Sequence, residues 1–189
     1  MASMPDVLPA GPVELRRTRS EDLDGLMRAL EVSQPDLARW LPWADPMPTR
    51  EAEREFLEGR AAAFDADEEW GYFLVEPASG ELVGGAGLHP RGPGVVEIGY
   101  WVRSDRTRRG YATAAAGTLA EAAFEHLPDV QRVVIRMDQA NAASAAVPPK
   151  LGFVCEGEDP LRDIVTSGHT GKGWIWARTR AGRDLLAPE

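Results

Sequence analysis

The chain has 189 residues, 43% hydrophobic and 27% charged, which fits a single soluble domain with a sizeable core. Its 30 acidic against 21 basic residues give a net charge of −9, which argues against nucleic acid as a partner. A single cysteine, Cys155, excludes an intrachain disulfide, and His89, His126 and His169 lack ligand spacing, so no metal is expected.

Residues 1–12, with Pro5, Pro9, Gly11 and Pro12, read as a flexible lead-in, and residues 13–17 as a short strand. Thr18-Arg19-Ser20-Glu21 has capping-box spacing, and Leu23, Leu26, Met27 and Leu30 then repeat at helical intervals. That helix is expected to end near Ser33, before Pro35. Thr49 can cap a second helix with Ala52, Phe56, Ala63 and Phe64 on its buried side. Residues 70–75, 81–88 and 95–102 read as three strands of a meander, with turns at 77–80 and 89–94. An alanine-rich helix over 110–127 is stopped by Pro128, and a β-branched strand follows over 130–137. A short helix over 141–151 closes at Gly152, and strands at 153–156 and 173–179 complete one α/β domain over 13–180, with a tail at 181–189.

No apolar run approaches the ~18 residues of a membrane span and no signal-peptide pattern opens the chain. The expected location is cytoplasmic, with no membrane partner.

The segment 95–113 carries the most chemistry. A strand ends at Val102, a loop brings Arg103, Arg106, Arg108 and Arg109, and a helix opens at Gly110. Free N–H groups and the positive end of a helix dipole make such a turn an anion site, and guanidinium groups suit phosphate. The alternative is a solvated charged loop. By contrast, 167–173 lacks the order and the following helix of a phosphate loop and reads as a turn.

Two segments resemble the GNAT N-acetyltransferases. Thr107-Arg108-Arg109-Gly110-Tyr111-Ala112 is similar to the family's acetyl-CoA-binding motif, [Q/R]-x-x-G-x-[G/A]. Asn141, Ser144 and the run Lys150-Leu151-Gly152-Phe153 resemble its second signature, in the right order about thirty residues later. The strand from Glu97 to Val102 and the early Trp40-Leu41-Pro42-Trp43 look like the branch containing ribosomal-protein N-terminal acetyltransferases. Thr107 stands in place of the usual Gln or Arg, and Pro148 occupies the place of the tyrosine that protonates the thiolate in many members.

The resemblance implies a mixed, mostly antiparallel sheet flanked by helices, with splayed central strands forming an acetyl-CoA cleft. It implies acetyl transfer from acetyl-CoA to a primary amine, either a protein N-terminus or a small molecule, and it leaves a homodimer open. Glu97 is the candidate base, with simple pairing to a cation as the alternative. Backbone N–H groups of Trp101, Val102 and Arg103 are expected to face the thioester oxygen. Arg108, Arg109, Gly110, Tyr111, Ala112 and Thr113 are expected to hold the pyrophosphate or, through an arginine that includes Arg103 among its candidates, the 3′-phosphate. Asn141 can bond the cofactor arm or simply shape a turn. Ser144 can protonate the leaving thiolate or cap a helix. Trp40, Trp43 and Trp70 are candidates for the acceptor side, with core packing as the alternative. A non-catalytic acetyl-CoA-binding or sensing module is the competing function.

Overall fold

The computed structural model describes residues 4–159 and 165–184. Its strands are β1 (Val7–Ala10), β2 (Val13–Arg17), β3 (Trp70–Val75), β4 (Leu82–Pro90), β5 (Val95–Val102), β6 (Arg132–Asp138), β7 (Val154–Asp159) and β8 (Gly173–Thr179). The α-helices are α1 (Leu23–Ala38), α2 (Arg50–Asp65), α3 (Tyr111–His126), α4 (Ala142–Ala145) and α5 (Arg180–Asp184). One sheet takes the order β1-β2-β3-β4-β5-β6-β8-β7, antiparallel except for the β5–β6 pair.

Helix α3 crosses from β5 to β6 over one face. Its run of small residues brings the helix close, with Ala115, Ala116, Leu119, Ala120 and Ala123 fully buried against the sheet. Helices α1 and α2 cover the opposite face, where Leu26, Leu30 and Leu57 pack on Phe73 and Val75. Burial of these two apolar faces is the main source of stability.

The lead-in expected at 1–12 instead contains β1, which pairs with β2 through a turn at Gly11. Burial of Met4, Leu8 and Ala10 ties it down, and Pro9 is tolerated because β1 is an edge strand. Helix α1 also runs past Pro35 to Ala38. The proline removes one helical hydrogen bond, but buried Leu37 and fully buried Ser33 hold the last turns, and Ser33 Oγ accepts the Ser104 N–H at 3.1 Å. Thr49 caps α2, accepting the Ala52 N–H at 3.2 Å. Of the expected buried set Phe64 is buried and Ala63 partly so, whereas Ala52 and Phe56 are exposed; the buried stripe is Glu53, Leu57 and Phe64, with half-buried Arg60 in line. Two ionisable side chains thus occupy core-facing positions.

The β5–β6 pairing sets up the site. It joins Val95, Val96 and Glu97 to Arg132, Val133 and Val134, and then stops. Beyond it β5 follows β4 as far as Val102, while β6 follows β8 as far as Asp138, so a V-shaped gap opens between them.

Candidate active site

On one side of the V, the strand–loop–helix at 102–113 forms a frame around helix α3. Gly110 takes φ +79°, a left-handed conformation that glycine adopts without strain, and offers no side-chain cap. The first-turn N–H groups of α3 therefore face outward with the positive end of the helix dipole. Two of the loop arginines are consumed in building the loop. Arg103 holds Asp105 at 2.6 Å and the Leu82 carbonyl at 3.3 Å, and Arg106 holds Glu81 and Asp105, each at 2.8 Å. Arg109 reaches Glu76 only at 3.5 Å. Arg108, exposed and itself at φ +61°, has no partner among the described residues. The Tyr111 hydroxyl donates to Glu76 at 2.5 Å, and that hydrogen bond holds the Glu76 carboxyl below the usual carboxylate range.

The strand alternation corrects the expected set of thioester donors. Arg103 N–H is bonded to the Val83 carbonyl at 2.8 Å, and Trp101, in step with it, also turns its amide toward β4. Val102 and Tyr100 turn theirs into the gap. Of the three residues expected, only Val102 presents a free N–H there.

On the far side of the V, Asn141 caps α4, its Oδ1 accepting the Ser144 N–H at 3.1 Å. This is the turn-shaping alternative for Asn141, and it leaves Ser144 without the capping task. Ser144 Oγ instead lies 3.1 Å from the Tyr100 hydroxyl, which also reaches the Ser144 carbonyl at 3.2 Å. The pair bridges β5 to α4. Burial pushes the Tyr100 phenol up to about 12, so it stays protonated and can donate.

Across the sheet, under α1 and α2, lies a cavity of about 380 Å³. Gly85, Gly87 and Gly99 form part of its floor, with Trp101 and Trp43 edge-to-face at 6.3 Å and Phe56 at the rim. Trp43 and Phe56 are 45% and 49% exposed, so the cavity opens outward past two aromatic rings. Glu53 faces it, 8% exposed and without a charged or hydrogen-bonding partner among the described residues, and burial raises its carboxyl above the ordinary range. Beside it Arg60, Glu69 and His89 are linked at 2.5 Å per contact. Burial pushes the Glu69 carboxyl up, but the hydrogen bond to His89 and the Arg60 charge outweigh it, and the group ends below the usual range.

The tryptophans divide. Trp43 lines the cavity. Trp70 does not: it is 6% exposed, in the core cluster on the α3 side, because alternation along β3 turns it away from α1 and α2. Trp40 stacks under Arg39, and its carbonyl receives His169 Nε2 at 3.0 Å. The turn at 167–173 docks there. Glu97 stands at the vertex of the V, with Arg91 at 2.8 Å and Arg136 at 4.0 Å, so the pairing alternative is realised.

A long thioester with phosphates at one end could lie from the α3 N-terminus into the gap, its acyl carbon reaching the cavity face. That is the layout of an acyl-CoA transferase. The sequence profile of the acetyltransferase (GNAT) domain family matches residues 13–154, and the chain belongs to that family, whose acyl donor is acetyl-CoA. It is 29% identical over 150 residues to YdaF of Bacillus subtilis (strain 168), provisionally named a ribosomal N-acetyltransferase, covering 77% of this chain and 80% of that protein. The fold is similar to a ribosomal-protein alpha-N-acetyltransferase, RimL, in complex with coenzyme A (TM-score 0.84, 20% identity, 93% of this chain and 99% of that one). It is also similar to the microcin self-immunity acetyltransferase MccE in complex with acetyl-CoA and AMP (TM-score 0.80, 16% identity, 92% and 98% covered). Among the described residues no helix is long and apolar enough to cross a membrane.

Proposed function

We propose that the protein transfers the acetyl group of acetyl-CoA directly to the α-amine of a protein N-terminus, with a ribosomal protein as the acceptor class. The observation that carries the acceptor is the cavity. It opens between exposed Trp43 and Phe56, where the rest of a polypeptide can leave. A small-molecule acceptor would be better matched by a closed pocket. The likeness to YdaF and RimL supports the ribosomal class.

The donor is held by amides from Gly110 to Thr113 around the pyrophosphate, with Arg108 as the guanidinium free for the 3′-phosphate and Arg109 beside it. The Val102 N–H stabilises the oxygen that develops charge at the thioester. Ser144, hydrogen-bonded to Tyr100, supplies the proton to the departing thiolate, which supports dispensing with a tyrosine at Pro148. Asn141 positions Ser144 by capping its helix.

Thiol release should be measured with acetyl-CoA against peptides with free N-termini, their Nα-blocked counterparts, aminoacyl adenylates and amine drugs. Release only with free N-termini is the expected result. Turnover of small amines alone would overturn the acceptor. No turnover, with acetyl-CoA still raising the melting temperature, would favour the non-catalytic module.

A further inference from the structure

Under α2 the sheet carries three glycines in one cross-strand line: Gly71 on β3, Gly87 on β4 and Gly99 on β5. The line is a trough without side chains, and two polar groups lie in it. The Arg60 guanidinium crosses Gly71 and Gly87, where a Cβ would come within 2.5 and 2.7 Å of it. The His89 ring follows, its Nε2 3.4 Å from the Cβ position of Gly87 and 3.3 Å from that of Gly99. Glu69 joins the two, taking Arg60 Nη1 on one oxygen and His89 Nδ1 on the other.

An ionised carboxylate can only accept, so in the neutral tautomer of His89 the proton sits on Nδ1 and Nε2 keeps the lone pair. No group among the described residues bonds Nε2, and it faces the cavity. It sits over Gly99, two residues beyond the point where the β5–β6 pairing ends, which is where the gap meets the acceptor side. Glu97 lies directly opposite His89 in the β4–β5 register, but Arg91 and Arg136 already engage it.

We propose that His89 is the general base that deprotonates the acceptor amine, with Glu69 and Arg60 as the residues that position its ring. The inference rests on the reading of the cavity as an amine-acceptor site. The ammonium gives one proton to Nε2, which passes it to water. The freed nitrogen pair attacks the thioester carbon, forming C–N, and the C–S bond breaks. The second proton, left on nitrogen, goes to the thiolate sulfur through the Ser144 and Tyr100 hydroxyls. The charged groups facing His89 are Glu69, Arg60 and Glu53 from the α2 side and Glu97 from β5.

The test uses His89→Gln, Glu69→Gln and His89→Ala in the full chain, with free-N-terminus peptides and saturating acetyl-CoA. His89→Gln is expected to lower kcat about 100-fold at pH 7, with the deficit shrinking toward pH 9 as solvent supplies free amine. Its acetyl-CoA Kd should stay within twofold of wild type, and imidazole should restore turnover to His89→Ala. Glu69→Gln should lose about tenfold and keep the altered pH profile. Turnover of His89→Gln within threefold of wild type from pH 6 to 9 would overturn the proposal, as would an equal loss at every pH with no imidazole rescue. Wild type releasing no thiol with any free N-terminus would instead bring down the acceptor reading itself.

Discussion

Replacing Gly110 by alanine separates two things this glycine does. At φ +79° an alanine pays the left-handed penalty of about 1–2 kcal/mol, offset by about 0.4–1 kcal/mol from a stiffer unfolded chain. No described residue stands within 4 Å of the new Cβ, so no packing clash adds to this. The net loss is about 1 kcal/mol, or roughly 2–4 °C in Tm for a chain of this size. In the proposed donor site that open space is also where the diphosphate approaches the α3 amides. Acetyl-CoA affinity should therefore fall at least tenfold, about 1.4 kcal/mol, by isothermal titration calorimetry. Gly11→Ala is the control: φ is +60°, the Cβ again meets nothing, and the turn lies between β1 and β2 away from the site. It should lose similar stability and keep wild-type affinity. If both variants bind acetyl-CoA as wild type does, or both lose affinity equally, the phosphate cradle is not at Gly110.

Arg108→Ala should weaken coenzyme A binding about three- to fivefold and leave 3′-dephospho-coenzyme A unaffected, whereas Arg106→Ala should lower Tm by loosening the loop from Glu81. Equal weakening for both ligands would remove Arg108 from the 3′-phosphate. Glu53→Gln tests the buried carboxylate of α2. Its folded pKa is raised by burial, so the wild type loses stability as pH climbs from the ordinary glutamate value through the folded one. The variant should match wild-type Tm near pH 4 and exceed it at pH 8, while KM for a free-N-terminus peptide rises. A lower Tm at pH 8 would mean that the carboxylate has a stabilising partner.

The strand–loop–helix of the proposed donor side is legible in sequence because local chemistry writes it: a strand ending in a basic loop and a glycine opening an alanine-rich helix. The acceptor side is written by contacts between strands and is harder to read. Pro90 makes His89 look like part of a turn, yet β4 continues through Pro90 and holds the ring over the sheet. Gly71, Gly87 and Gly99 lie far apart in the chain and align only through strand register. Glu53 and Arg60 look like outward charges, although they share the helical spacing of Leu57 and Phe64, and that coincidence was the available signal. Trp70 and Trp43 are equally aromatic. Only the alternation of β3 separates the one packed toward α3 from the one on the cavity. The β5 donors follow from which amides pair with β4, and this phase requires the register.

Acetyl transfer to a protein N-terminus is read out by tandem mass spectrometry of a free-N-terminus ribosomal peptide after incubation with the protein and acetyl-CoA, paired with coenzyme A thiol release. One acetyl group on the α-nitrogen is expected per thiol released, and none on the Nα-blocked peptide. Acetyl groups found on lysine side chains alone, or thiol release that is the same with and without the peptide, would contradict it.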